Sequence, residues 1–278
     1  MSFFSRCLLV FLVAVLQAER CTAAEVGPPN VILIMSDDQG WGDVGFNGNQ
    51  EIITPHLDQM ARDGVRFNRF YAAAPLCSPT RGSCLTGRYP FRYGILAAHT
   101  GGMRVGEVTT AEMLKSKGYR TGFFGKWHMG WVKPDEVGPR GYYSPPSHHG
   151  YEEYFATTSA VPTWNPTVTP PGWTKWGAEA GEPWKGGRPY VQNGIEVAEN
   201  MDGDDSRVIM DRVLPFIESS GKTPFLQPCG FTRRMNLWWR EKSISSFIRT
   251  TARQSKTTTA ASPLWTSKLV GCGHSLRS

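Results

Sequence analysis

Residues 30–35 read Asn-Val-Ile-Leu-Ile-Met, a continuous apolar run rich in β-branched side chains, closed by the polar turn Ser36-Asp37-Asp38-Gln39-Gly40. A strand with no polar alternation has no face to give to water, so it must sit in a sheet covered on both sides. The text that follows supplies the cover. Thr54-Pro55-His56 reads as an N-cap followed by proline at the first helical position, and Leu57, Met60 and Ala61 continue at helical spacing up to Gly64. Residues 65–71 alternate like a second strand. Residues 76–90, LCSPTRGSCLTGRYP, then open a helix with Ser78 as cap and Pro79 in the first turn, so Cys77 sits at a helix mouth. A helix from Thr109 to Leu114 is ended by Gly118, and residues 119–124 return as a strand running into Gly125-Lys126-Trp127-His128. Residues 204–218 form an amphipathic helix, and Lys222-Thr223-Pro224-Phe225 starts a further core strand. This alternation predicts an α/β fold with a mostly parallel central sheet flanked by helices. Residues 131–194, rich in Pro, Gly, Trp and Tyr and poor in periodicity, are expected to form a long substrate-facing insertion.

The chain opens with MSFFSRCLLVFLVAVLQAERCTAAEVG, in which Arg6 gives a positive start, residues 7–16 an apolar stretch, and Thr22-Ala23-Ala24 a small-residue cleavage site. That is the pattern of a secretory signal peptide over residues 1–24, and it predicts export to the cell exterior or the periplasm. The apolar stretch is too short to span a bilayer and no second one follows, so no membrane span is expected. A net charge of +6 would invite a nucleic-acid partner, but the charge is not evenly spread. Residues 226–278 hold nine Lys or Arg against one acid, Glu241; of the chain's 30 basic and 24 acidic residues, 21 and 23 lie in residues 1–225. The body is near neutral, which argues against nucleic acid. Of the six cysteines, Cys7 and Cys21 belong to the leader and Cys229 and Cys272 to the basic tail, leaving Cys77 and Cys84 in the body. There is no disulfide framework and no CxxC pair for zinc; a Cys77–Cys84 bridge is the minor alternative.

Three segments arrive at the carboxyl ends of predicted strands, where sheets of this kind bind ligands. Asp37 and Asp38 are adjacent carboxylates, costly to hold together unless a cation neutralises them, and oxygen ligands suit Ca²⁺ or Mg²⁺. The alternative is a solvated turn in which only one aspartate acts. Arg81 lies one helical turn beyond Cys77, so its guanidinium fork can reach an anion at the same helix mouth. Lys126 and His128, two apart on an extended segment, face one side; each alone also reads as a solvated strand-end residue.

Taken in order, Asp-Asp after the first strand, CxPxR at a helix start and GKWH after a later strand closely resemble the sulfatase family. The surrounding text, PNVILIMSDDQGWGDVG, TPHLDQMARDGVRFNRFYAAAPLCSPTRGSCLTGRYP and LKSKGYRTGFFGKWHMG, is similar to that family's N-terminal half. The resemblance covers residues 29–225 and implies the alkaline-phosphatase-like sulfatase fold, here truncated. It further implies that Cys77 is oxidised to formylglycine by a dedicated formylglycine-generating enzyme that reads CxPxR. The chemical reason is turnover: a serine would be left as a stable sulfate ester, whereas a hydrated aldehyde has a second hydroxyl that can collapse and expel sulfate. By the same resemblance Asp37, Asp38 and the modified Cys77 bind a calcium ion, ahead of Mg²⁺. Arg81 steadies the formylglycine oxygen and the carboxylates, Lys126 binds a sulfate oxygen, His128 takes a proton from the second hydroxyl, and Ser159 is a looser match to a serine near the sulfate. The implied activity is arylsulfatase-like hydrolysis of a sulfated small molecule or glycan.

The resemblance stops after Phe225. The family continues with a core strand and His-x-Pro-His, then an Asp-Asn metal pair and a further lysine; residues 226–278 contain none of these and have no apolar periodicity. Reading the tail one base over, as if a base were lost near Phe225, restores a strand, a His-x-Pro-His with histidines in place of Thr232 and Met235, and an amphipathic helix. The organisation expected is a leader at 1–24, the N-terminal part of a sulfatase catalytic domain at 25–225, and an aberrant, frameshifted tail at 226–278. Such a chain is expected to be incomplete and poorly active. Two other readings stand beside it: a phospho- or phosphonate-ester hydrolase of the same superfamily, and a non-catalytic secreted fragment with a basic binding tail.

Overall fold

The computed structural model describes residues 27–136, 141–163, 165–171, 179–183 and 190–230. The leader expected at 1–24 and the tail beyond Gly230 lie outside the described residues. The compact body begins at Val31. Its strands are β1 (Val31–Met35), β2 (Arg120–Lys126), β3 (Glu153–Thr157), β4 (Val191–Gln192), β5 (Ile195–Glu196) and β6 (Phe225–Gly230), joined in the order β1-β6-β2-β3-β4-β5. β1, β6, β2 and β3 run parallel, while β4 and β5 return antiparallel at one edge. The register sets Val31 against Leu226, Thr121 against Leu226 and Lys126 against Thr157, which brings the carboxyl ends of four parallel strands to one rim.

Successive β2 residues point to opposite faces, and each face has its own cover. Phe124 joins Phe155, Val208, Val213, Phe216 and Phe225 beneath α5 (Asp205–Ser220). Phe123 joins Leu85, Ala111, Trp127 and Tyr151 on the side of α2 (Cys77–Thr86) and α4 (Thr110–Lys115). Each of these large side chains contributes about 2 kcal/mol of burial, so residues Phe123 and Phe124 alone tie both helical layers to the central strands. α4 starts with a capping box: the Thr109 hydroxyl accepts from Glu112 N while the Glu112 carboxylate accepts from Thr109 N. α5 is capped by Asp204, which accepts from Ser206 N. α1 (Pro55–Asp63) has its proline in the first turn, and α3 (Pro90–Tyr93) is a single turn that places the Tyr93 hydroxyl by Ser83. Among the described residues no helix is long and apolar enough to cross a membrane.

Three local expectations are corrected. Residues 65–71 are not a strand: Val65 is 78% and Phe67 63% exposed, and no described strand pairs with them, so their alternation has no ladder to enter. α2 begins at Cys77 rather than after a Ser78 cap, because Leu76 O accepts from Thr80 N and the Thr80 hydroxyl turns back to Ala74 O. The segment 131–194 is not wholly irregular, since it contributes β3 and β4 to the sheet. Neither Cys77 nor Cys84 is in a disulfide, so the minor alternative of a bridge between them is not formed.

Candidate active site

The rim of the parallel strands gathers the residues singled out in the sequence. β1 delivers Asp37, α2 delivers Cys77 and Arg81, and β2 delivers Lys126 and His128. Lys126 Nζ donates to Asp37 Oδ2 at 2.5 Å, and Arg81 Nη2 stands 3.7 Å from Asp37 Oδ1. Arg81 Nη1 donates to the Lys126 carbonyl at 2.7 Å, which locks helix α2 to the end of β2. This approach needs a bare backbone on β6. A Cβ on Gly230 would lie 2.6 Å from Arg81 Nη1, and one on Gly125, at φ 105°, would lie 2.0 Å from Gly230 O.

The charges are taken out of water. Asp37, Arg81 and Lys126 are 7%, 4% and 3% exposed. Asp37, Arg81 and Lys126 carry between them one negative and two positive charges, and in a low-dielectric rim such an excess attracts an anion more strongly than surface lysines do. His128 is buried beside them with φ 58°. Burial first, then the charges of Lys126, His99 and Arg81, push its pKa far down, so the ring is neutral. Its Nε2 lies 3.2 Å from Nδ1 of His99, and its Nδ1 is buried with no hydrogen-bond partner among the described residues.

The remaining candidates sit less tightly. Cys77, of intermediate exposure, occupies the first position of α2, one turn before Arg81. Asp38 is exposed and held at φ 54°, whereas Asp37 is buried in the ion-pair cluster. Ser159 is buried at the same rim, two residues past Thr157, the partner of Lys126 in the β2–β3 ladder. His99, which nothing in its Ala97-Ala98-His99-Thr100-Gly101 context advertises, and the glycines at 125 and 230 were not legible as site residues. The first shows itself only through its contact with His128, the others only through the closeness of three backbones.

The donors test differently against the two groups that the resemblance implies. A divalent cation does not fit them. Lys126 and Arg81 stand on the two oxygens of Asp37, and no group of three His, Cys, Asp or Glu suited to a metal occurs among the described residues. Formylglycine at position 77 does fit: the thiol is free, part-exposed and set at the mouth of a helix with Arg81 one turn on.

A mostly parallel sheet between two helical layers, with a buried cationic cluster at its carboxyl rim, defines an α/β protein of the alkaline-phosphatase-like architecture. The chain belongs to the sulfatase family, whose model matches residues 29–227. It is 42% identical to arylsulfatase A of Bos taurus over 156 residues, covering 53% of this chain and 29% of that protein. It is 41% identical to steryl-sulfatase of Rattus norvegicus over 177 residues, covering 60% of this chain and again 29% of the relative. The chain thus spans under a third of the length of these curated relatives. Among solved structures, Ps i-CgsB superposes with a TM-score of 0.66 at 25% identity over 82% of this chain and 56% of that one. The PsFucS1 sulfatase from Pseudoalteromonas sp. shares the fold with a TM-score of 0.61 at 19% identity, over 92% and 57% of the two chains.

Proposed function

We propose that this chain carries the N-terminal share of a sulfuric ester hydrolase site, of the arylsulfatase type, in an exported protein. The observation that carries the reading is the buried cluster in which Arg81 and Lys126 together outweigh Asp37, beside a helix mouth bearing the cysteine of a CxPxR sequence. Sulfate monoesters are anions, and a dry, net-positive rim binds them and the further charge that develops on their oxygens in the transition state. Formylglycine, made from Cys77 by a formylglycine-generating enzyme of the host, would supply a hydrated aldehyde with one oxygen to attack sulfur and another to release it.

The chain's own residues do the rest. Arg81 orients the first turn of α2 and neutralises charge at position 77. Lys126 holds Asp37 in the resting site and is the cation nearest an incoming sulfate oxygen. Neutral His128 is able to accept a proton. Ser159 is the further hydroxyl at the rim. The calcium ion implied by the resemblance enters no step, because the donors among the described residues do not form its shell.

Co-expression with a formylglycine-generating enzyme tests the reading. Mass spectrometry of the peptide containing Cys77 should show the aldehyde, and an aryl sulfate should be turned over in preference to an aryl phosphate. Lys126→Ala should reduce that turnover on the order of 100-fold, as removal of one oxyanion donor does. Since the chain spans 29% of its relatives, low turnover is expected, and calorimetric binding of the sulfate ester, lost in Lys126→Ala, is the second readout. Preference for phosphate would assign the site to phospho- or phosphonate-esters. Absence of both turnover and sulfate-ester binding would leave the non-catalytic secreted reading.

A further inference from the structure

His99 is exposed, lies on a different loop from the rest of the cluster, and has no role in the chemistry described so far. Yet the chain builds a device to present it. Thr100 closes a turn by donating its hydroxyl to Ala97 O at 2.7 Å, and Met103 N donates to Met129 O at 2.8 Å, pinning the loop to the residue that follows His128. The two imidazoles meet edge to face with centroids 4.4 Å apart and 61° between planes. Both residues have left-handed backbones, His99 at φ 61° and His128 at φ 58°. Such conformations are uncommon outside glycine and persist only where surrounding contacts impose them, which happens most at functional sites.

The contact between His128 Nε2 and His99 Nδ1 contains one proton, and burial decides which ring holds it. If His99 donated, the only proton on neutral His128 would sit on Nδ1, leaving a buried N–H with no acceptor. If His128 donates, Nδ1 is a bare lone pair, and orphaned acceptors are tolerated better than orphaned N–H groups. His149 shows the same solution elsewhere in the chain: Ser144 Oγ donates its single proton to Met103 O at 2.8 Å, so the 2.7 Å contact with His149 Nε2 is donated by the imidazole, and His149 Nδ1 is left buried and bare.

We propose that His99 is a positioning residue for His128: its Nδ1 accepts the Nε2–H of His128 and fixes that ring in the tautomer whose buried Nδ1 is open as a base. The inference deepens the hydrolase reading, on which its catalytic meaning rests, but the tautomer is measurable without any turnover.

The experiment is long-range ¹H–¹⁵N NMR on the full chain labelled at its six histidines, with His128→Gln to assign the signals of that ring. One hydrogen bond predicts a roughly fivefold or larger preference for the Nε2–H tautomer of His128. His99→Asn places an amide oxygen near the position of Nδ1 and tolerates positive φ, so it should keep the preference. His99→Gly accepts the backbone angle without strain but removes the acceptor, so the two tautomers should become roughly equal. A wild-type ring protonated at Nδ1, or an unchanged Nε2–H preference in His99→Gly, overturns the proposal. Where aryl sulfate turnover is measurable, His99→Gly should lower kcat about twofold, in proportion to the competent fraction, and leave KM alone. A tautomer that responds to His99 in a chain without sulfate chemistry would retain the pairing and sink the hydrolase reading instead.

Discussion

Asp37 carries opposing demands at one residue. As a potential metal ligand it needs free lone pairs; as a buried carboxylate without a metal it needs cations. Lys126 at 2.5 Å and Arg81 at 3.7 Å meet the second demand and use the oxygens that the first would require. Two predictions follow from that competition. Millimolar Ca²⁺ should leave the melting temperature of this chain unchanged, since a ligand stabilises only in proportion to ln(1 + [L]/Kd) and no set of three donors is formed among the described residues; a clear rise in Tm would show a shell that the residues assemble on demand. Lys126→Met should destabilise the fold by about 3 kcal/mol in chemical denaturation, because it leaves a buried carboxylate with one distant cation. Asp37→Asn in the same background should recover part of that loss, and a simple sum of the two single losses would show that the pair is not coupled.

The one-turn 3-10 helix Pro146–His149 ties the α2/α4 layer to the rim, and it does so through a titratable ring. His149 O accepts the Thr109 hydroxyl at 2.8 Å, its Nε2 contacts Ser144 at 2.7 Å, and its ring lies 5.7 Å from Trp127. Burial, and to a lesser degree the neighbouring His148, pushes its pKa down from 6.5 to about 4. A depressed folded-state pKa means that the unfolded chain takes up the proton first as pH falls. Stability from this group is therefore complete above pH 6.5, declines as pH drops toward 4, and is gone below that, a loss of about 3 kcal/mol. Denaturation series at pH 7, 5.5 and 4 should show that slope, and His149→Gln should flatten it; a flat wild-type profile would remove His149 as its source. At this scale the sequence was readable where a local rule matched its physical cause. The helix expected from Thr109 begins there, and the unbroken apolar run at 31–35 forms a strand, although a half-buried outermost one; Asp37, Arg81 and Lys126, read from three separate motifs, lie together. It misled where the outcome depended on a remote partner. Residues 65–71 alternate correctly but find no described ladder, Ser78 yields the helix start to Leu76, and His99 acquires meaning only through a residue 29 positions away.

For the molecule as a whole, the weak member is an interior strand next to the sheet edge. β6 lies between β1 and β2, the position that demands an uninterrupted ladder and apolar side chains. It is written Phe-Leu-Gln-Pro-Cys-Gly, and the misfits are physical. Gln227 is fully buried with neither amide atom hydrogen-bonded among the described residues, and Pro228 has no N–H to donate in a strand flanked on both sides. The β2–β6 register accordingly pairs Thr121 with Leu226 and Phe124 with Cys229 but nothing between. β1, the outermost parallel strand, is only half-buried along its whole length, although its composition suits full burial. The match to the family model ends at Gln227, within this strand, where a shifted reading frame would begin. With permitted codon choices that frame allows Ala at 227 and Thr at 228, and the double substitution Gln227→Ala, Pro228→Thr tests the idea on the protein itself. Removing a buried unpaired amide relieves about 1–3 kcal/mol and restoring a ladder donor adds about 1 kcal/mol, against a smaller loss from the trimmed side chain. The net expected gain of about 1–2 kcal/mol should raise Tm by roughly 2–8 °C in a body of this size. An unchanged or lowered Tm would mean that β6 is already at ease with Gln and Pro. The divergence after Phe225 would then be an adaptation of this chain rather than a slip of its frame, and a nucleotide sequence open only in the present frame would agree.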